Sequence, residues 1–280
     1  MGTFVIARLT FSEASRRRIL LAALLLGVLF LAVYGIGFYF ITQEAGRSGR
    51  SQQIIPNEVS NFLMLAGLYV VNFLTIMMTV LTSVDTISGE INSGTIHTLM
   101  SKPINRWEVV LGKWLGFAGM LSLYLLLMAG GVILLVYLLA GYLPPHPERA
   151  LLLMELNALL LLTVSLMGGT ILSTLANGVL VFGLFGLAFI GGWIEQIGTF
   201  LPGSTGQTAQ NVGIITSLIL PSEALWRRAA FEVQSPLISA FGFSPFTSSS
   251  QPSVFMIGYA VLYLLLMFAL AVRQFNHRDL

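Results

Sequence analysis

Six apolar runs dominate the chain, at about 19–41, 61–84, 109–140, 151–175, 179–200 and 254–272, each set off by a polar or turn-forming stretch. A helix of about 20 apolar residues crosses the roughly 30 Å of bilayer hydrocarbon. In lipid a segment must satisfy its own backbone polar groups, and a helix does so internally. The pattern therefore predicts an all-α integral membrane protein with six transmembrane helices. At 1.5 Å per residue the run 109–140 measures roughly 48 Å, so its first turns must protrude from the hydrocarbon.

Polar positions inside the runs add detail. Asn72, Thr75 and Thr79 fall within the second run. A mid-span Asn is costly without a partner, so an interhelical hydrogen bond is expected for Asn72. Ser165, Gly169 and Ser173 recur every fourth residue, and Asn177 continues the row. Such a small-residue stripe suits close helix packing. Asn177-Gly178 then reads as a minimal turn between the fourth and fifth runs. Glu195 near the end of the fifth run reads as a solvated interfacial group, although an ionisable side chain at that depth is also a functional candidate.

The flanks are amphipathic. Residues 1–18 interleave Phe4, Val5, Leu9 and Phe11 with Arg8, Arg16, Arg17 and Arg18, as in a segment lying on a membrane surface with its arginines at the headgroups. The region 201–252 has polar, Gly- and Pro-rich ends. Its apolar middle, 212–220, is too short to span. Pro221 suits a first helical turn, and Leu225, Ala229 and Val233 follow at helical spacing. Two short helices, interfacial or re-entrant, are expected there.

The densest polar pattern lies between the second and third runs, from Asp85 to Gly116. Val84, Ile87 and Ile91 keep helical spacing, so the second span should continue beyond the membrane until Gly94 breaks it. Thr95 to Met100 suits a short transverse helix with Ser93 as N-cap and Pro103 as its stop. Asn105 with Glu108 three residues on resembles a capping box opening the third span. Gly112 and Gly116 form a second small-residue pair. The short helix can dock across a groove on a partner, with Asp85, Glu90, Lys102, Arg106 and Lys113 holding its orientation.

Composition agrees with a lipid solvent. The 280 residues are 56% hydrophobic and 9% charged, far below the roughly 25% charge of a soluble domain. Cysteine is absent, which excludes disulfides and thiolate chemistry. The net charge of +2 gives no reason to expect a nucleic-acid partner. The first run is too long for a signal-peptide core and lacks a small-x-small cleavage site, so no cleaved leader is expected; Ile6 breaks the myristoylation pattern after Gly2. With six spans the termini share one side. Together with the Asp85–Gly116 stretch that side carries nine Lys or Arg against five on the other, which predicts cytoplasmic termini in a multi-pass plasma (inner) membrane protein.

At this point the residues carry a resemblance. Glu90, Gly94-Thr95-Ile96, Leu99, Ser101-x-Pro103-Ile104-x-Arg106 and Leu111-Gly112-Lys113 resemble the signature of ABC-2 type transporter permeases. Size and the Lys-Pro-Ile wording are most similar to permeases associated with maturation of copper enzymes. The pattern departs at Asn92, where a second acid is common, and at Asn105, where Ser or Thr is frequent. The match covers about a tenth of the chain, and the six-span layout agrees over the remainder.

The resemblance implies the permease subunit of an ATP-binding cassette transporter, an exporter in direction. It implies two permease chains, as a homo- or heterodimer, resting on two copies of an ATP-binding subunit. The segment 86–106 would be the cytoplasmic coupling helix, and the six-span permease domain would cover 19–280. Asp85, Glu90, Gly94, Thr95, His97, Leu99, Ser101, Pro103, Arg106, Glu108 and Lys113 would be the coupling residues. Gly112, Gly116, Ser165, Gly169 and Ser173 would be packing positions. No G-x-x-x-x-G-K-[ST] motif occurs, so this chain binds no cofactor on that expectation, and ATP with Mg would sit on the partner subunit.

Two other classes are weaker. An ion-coupled secondary transporter usually carries mid-membrane carboxylates or histidines. An intramembrane enzyme needs a metal set or a nucleophile with a base. The histidines are only His97, His146 and His277, with no H-E-x-x-H pair, and no catalytic or metal residues are assigned.

Overall fold

The computed structural model describes residues 2–47, 54–94, 105–235 and 252–278. Their secondary structure is helical throughout. In chain order the helices are α1 Gly2–Ser15, α2 Arg18–Arg47, α3 Ile54–Ser83, α4 Ser88–Asn92, α5 Arg106–Ala140, α6 Pro147–Ile171, α7 Thr174–Gly198, α8 Gly203–Ile219, α9 Ser222–Val233 and α10 Val254–His277. Six of them, α2, α3 with its extension into α4, α5, α6, α7 and α10, are long and apolar enough to cross a membrane.

Strong local signals set the helix ends. Asn105 opens α5, its N–H donating to the Glu108 carboxylate at 3.3 Å, the reciprocal half of a capping box. Gly141 closes α5 in the left-handed region, φ +67°, with its N–H on Tyr137 O. Only glycine adopts that conformation freely. Pro147 occupies the first turn of α6, where its missing N–H removes no helical bond.

The spans are not equally buried. In its most apolar window α6 is 67% buried and α3 61%, against 11% for α2 and 17% for α10. The helices α3, α5 and α6 therefore make the interior, through residues such as Leu65, Leu68, Leu121, Leu125, Leu160 and Leu161. The outer helices turn Leu25, Leu29, Val33 and Leu262 outward. Apolar side chains gain little by leaving lipid for another helix, so close fit and polar contacts must order the interior. The Asn157 amide donates to Asn72 Oδ1 at 3.3 Å, the interhelical bond expected of Asn72. Thr75, Thr79, Thr82 and Ser83 instead return their hydroxyls to carbonyls four residues back on α3. That back-bonding hides a polar group inside one helix.

Two expectations change. The turn expected at Asn177-Gly178 lies earlier, at Leu172-Ser173. Ser173 is the N-cap of α7, its Oγ accepting from Ala176 N, so it is not on the helical stripe of α6. Asn177 is instead buried inside α7. Second, α1 uses a narrow face, Ile6, Thr10 and Ala14, to sit on α5, and leaves Phe4, Val5 and Leu9 exposed. Its seat is Gly112 and Gly116. A Cβ on Gly112 would stand 2.7 Å from Ile6 Cβ, and one on Gly116 would stand 2.7 Å from Ala7 O.

The two short helices expected in 201–252 exist as α8 and α9; the remaining residues of that loop, 236–251, lie outside the described ones. From Gly203 the chain turns back along α7. Gly191, Gly198, Gly206 and Gly213 bring the backbones together; a Cβ on Gly191 would meet Thr216 Oγ1 at 1.9 Å. After Pro221, α9 returns toward the end of the bundle. There Asn61 of α3 donates to Val233 O at 2.7 Å and to Tyr142 Oη at 2.8 Å, and accepts from Ser235 N at 3.0 Å. The pair α8–α9 is thus a helical hairpin folded back against the bundle.

Candidate functional site

The chain leaves α3 at Ser83 and makes a single tight turn before α4. The hydrogen bonding stays near helical across it, with Val84 N on Val80 O at 3.1 Å and Gly89 N on Asp85 O at 2.9 Å. The expected continuation of the second span is therefore present with one break. It ends where expected, at Gly94, whose φ is +72°. Ser93 closes α4, its N–H on Gly89 O.

Three sets of contacts hold α4 and the turn before it. Toward α7, Thr174 Oγ1 donates to Asp85 Oδ1 at 3.1 Å and lies 2.9 Å from Ser88 Oγ. The Asp85 carboxylate packs on Gly89, where a Cβ would be 2.2 Å from Oδ1. Toward α6 and α7 together, the buried Asn177 amide donates to Val84 O at 3.2 Å and to Ser165 O at 2.9 Å. The Ser83 and Ser165 hydroxyls are hydrogen-bonded at 2.8 Å, with Ser83 Oγ accepting since its own proton goes to Thr79 O. Gly168 and Gly169 leave room for the Asn177 side chain; a Cβ on Gly168 would be 2.2 Å from its Oδ1. Toward α5, Lys113 Nζ forms an ion pair with Glu90. The Lys113 side chain is 6% exposed and that of Glu90 26%. A buried ammonium is tolerated only with a counter-charge, so this pair ties α4 to α5 firmly.

Several expected site residues thus come together: Asp85, Glu90, Lys113, Ser165 and Gly169. Gly112 is adjacent to Lys113 but faces α1, as does Gly116. Arg106 reaches the last helix. Its guanidinium donates to the carbonyls of Phe275, Asn276 and Arg278, at 3.3, 3.0 and 2.7 Å. The last carbonyls of a helix lack intrahelical donors, and a cation there also opposes the helix dipole. Arg106 is therefore the C-terminal cap of α10. Arg278 in turn donates to Thr170 O at the end of α6. Glu108 caps α5. Thr95, His97, Leu99, Ser101, Lys102 and Pro103, with the short helix expected over 95–100, lie outside the described residues.

Ser83, Ser88, Thr174 and Asn177 were not anticipated at this site. Only Asn177 gave a signal, an amide continuing the Ser165–Gly169 row, and its neighbour Gly178 turned that signal into a turn prediction.

Glu195 also departs from expectation. It lies at the opposite end of the bundle, not solvated but paired with Arg227 of α9 at 2.6 Å, the two side chains 14% and 10% exposed. Around it, Arg228 pairs with Glu232 at 2.8 Å and Arg149 with Glu232 at 3.3 Å. Glu223 packs against Gly192. Burial pushes its carboxyl up to about 7, with Arg227 pulling it down and Glu195 raising it further.

Fold and site together define a polytopic membrane protein of six spans, with a short helix clasped at one end between three of them. Residues 4–280 match the family model described as ABC-2 family transporter protein, and the chain belongs to that family. It is similar to the probable ABC transporter permease protein NosY of Pseudomonas aeruginosa strain PAO1, 32% identical over 151 residues, which is 54% of this chain and 50% of the relative. The protein of the same description from Stutzerimonas stutzeri is 33% identical over 135 residues, 48% of this chain and 45% of the relative. The chain spans about half the length of the curated relatives it matches.

Proposed function

We propose that the chain is the permease subunit of an ATP-binding cassette exporter in the plasma (inner) membrane, with the α4 end in the cytoplasm. The observation that carries this is the clasp around α4. The short helix is joined to α5 by Glu90–Lys113 and, through Asp85 and Ser88, to α7 by Thr174. It is continuous with α3 through one turn. A force applied to α4 therefore reaches three spans at once. The 280 residues contain no P-loop, and in this reading the force comes from a separate ATP-binding subunit.

In this account an ATP-binding subunit, carrying ATP and Mg, docks on α4 and the segment that follows it. Two such subunits serve two permease chains. Closure of the ATPases drives α4 against α5 and α7, and the spans tilt as rigid bodies about their packed interiors. The positive-inside count supports this orientation: residues 1–18, 85–116 and 273–280 hold nine of the fourteen Lys and Arg residues. Kinship with the permease family supports the partner.

Gentle detergent extraction of the tagged chain from its native membrane tests the assignment. A P-loop ATPase subunit co-purifies, and Glu90→Gln leaves that association in place while ATP hydrolysis loses its dependence on cargo. Recovery of a transport-competent chain with no ATPase bound would overturn it.

A further inference from the structure

An apolar groove opens beside the turn that joins α1 to α2. Ile19, Ala22 and Leu26 of α2 form one wall, Met77 and Leu81 of α3 the other, and Tyr124 of α5 lies behind them. Its volume is about 300 Å³. The rim residues Ile19, Ala22, Leu26 and Leu81 are exposed, whereas Tyr124 is buried. Ala22 and Ala23 make the space, in a stretch of α2 that otherwise carries leucine. From Ile19 to Leu26 the groove follows α2 for about 10 Å, most of the roughly 15 Å of hydrocarbon in one leaflet. The unbranched Met77 can adapt to a flexible chain.

The polar end of the groove is cationic. The span of α2 begins at Arg18, which sets that end at the level of the lipid headgroups. Residues four apart share one helix face, so Arg18 stands in line with Ala22 and Leu26 at the entrance. Arg16 lies in the turn between α1 and α2. Both arginines are exposed, and among the described residues neither has an ion-pair partner. The nearest acids along the chain are engaged elsewhere. Glu13 pairs with Arg17 at 2.9 Å, and Asp85, four residues past Leu81, accepts from Thr174 of α7. Two guanidiniums without a counter-charge therefore stand over an apolar trough, and guanidinium matches phosphate oxygens in pairs.

We propose that this groove binds one anionic phospholipid, with its phosphate on Arg16 and Arg18 and one acyl chain between α2 and α3. A zwitterionic lipid offers the same chain but brings its own cation, which the two arginines repel, so the site selects by headgroup charge. The bound lipid touches α2, α3 and α5 together and braces α2, the least buried span, against the interior. The site rests on the packing of the spans alone. It holds whichever end faces the cytoplasm and whether or not an ATPase docks on α4.

Native mass spectrometry of the purified, delipidated chain tests it, with dioleoylphosphatidylglycerol and dioleoylphosphatidylcholine as matched probes. The wild type binds one phosphatidylglycerol about tenfold or more tighter than phosphatidylcholine. Arg16→Gln/Arg18→Gln, at exposed positions that leave the fold intact, binds the two lipids equally. Arg273→Gln, at an exposed arginine of α10, keeps the wild-type preference. Ala22→Trp and Leu81→Trp fill the groove from opposite walls, and each weakens phosphatidylglycerol binding about tenfold. Equal binding of both lipids to the wild type overturns the proposal, as does a preference that survives in Arg16→Gln/Arg18→Gln. Unweakened binding in both tryptophan variants would leave only headgroup adsorption and also overturns it. So does displacement of the lipid by inorganic phosphate alone, the mark of an anion site. The chain has no cysteine, so Ala22→Cys supplies a single thiol. Disulfide-linked pairs of that variant in native membranes would put a second copy in the groove and overturn the lipid assignment.

Discussion

The pair Glu90–Lys113 makes an asymmetric prediction. Lys113 is nearly enclosed at 6% side-chain exposure, whereas Glu90 keeps 26%. Removing one partner of a fully buried pair costs about 3–5 kcal/mol, because the other charge is stranded. Glu90→Gln strands the enclosed ammonium. Gln can still accept a hydrogen bond from Lys113, so the cost should fall toward about 2–3 kcal/mol. Lys113→Met leaves a carboxylate that is itself 26% exposed, nearer the regime of exposed pairs, and should cost about 1 kcal/mol. The double variant Glu90→Gln/Lys113→Met removes the stranded charge altogether. It should be more stable than Glu90→Gln alone, with a coupling of at least about 1.5 kcal/mol between the sites. Reversible unfolding in dodecylmaltoside micelles by added dodecyl sulfate, followed by tryptophan fluorescence, measures all four proteins. Equal single costs that add within about 0.5 kcal/mol would show that the side chains act independently, and the clasp between α4 and α5 would be refuted.

Four further predictions follow, three from packing and one from the buried Glu223 carboxyl. Gly116→Val pushes into Ala7 O and Thr10, and overpacking of this kind costs about 1–3 kcal/mol. The loss should appear as α1 opening to protease and should vanish in a chain lacking residues 2–15. Asn177→Ala leaves Ser165 O without its side-chain donor, removes one of the two side-chain donors on Val84 O, and should cost about 1–3 kcal/mol in the same unfolding assay. A glycine inserted after Asn177 should disrupt the fold where one after Leu172 is tolerated. Glu223, held at about 7 against a usual 4.5, should make the protein less stable as pH rises. Below about 4.5 the group is protonated folded or unfolded; between about 4.5 and 7 only the unfolded chain gives up the proton; above about 7 the penalty is complete. Glu223→Gln should flatten that slope and raise the melting temperature at pH 8 relative to wild type.

The spans were legible because lipid imposes length and apolarity on each one separately, so a single run of sequence carries its own signal. Helix ends fixed by local chemistry were legible for the same reason: Gly94, the Asn105–Glu108 cap and Gly141 each act within a few residues. The errors came where distant residues decide. Asn-Gly is a strong turn signal for a chain in water, but Ser165 and Val84 claim the Asn177 amide and keep it inside α7. Glu195 looked solvated because its partner, Arg227, arrives only when the α8–α9 hairpin folds back. Nor did the sequence hold a sign that Arg106 caps the carbonyls of the last helix, about 170 residues on.

The most direct test of the central claim is site-specific photo-crosslinking in native membranes. A photoreactive residue replaces Ser93, at the exposed end of α4, or Glu148, at the opposite end of the bundle. The account predicts an ATP-dependent adduct with a P-loop ATPase from position 93 and none from position 148. An ATPase adduct from position 148 alone, or from neither position in membranes where transport is active, would contradict it.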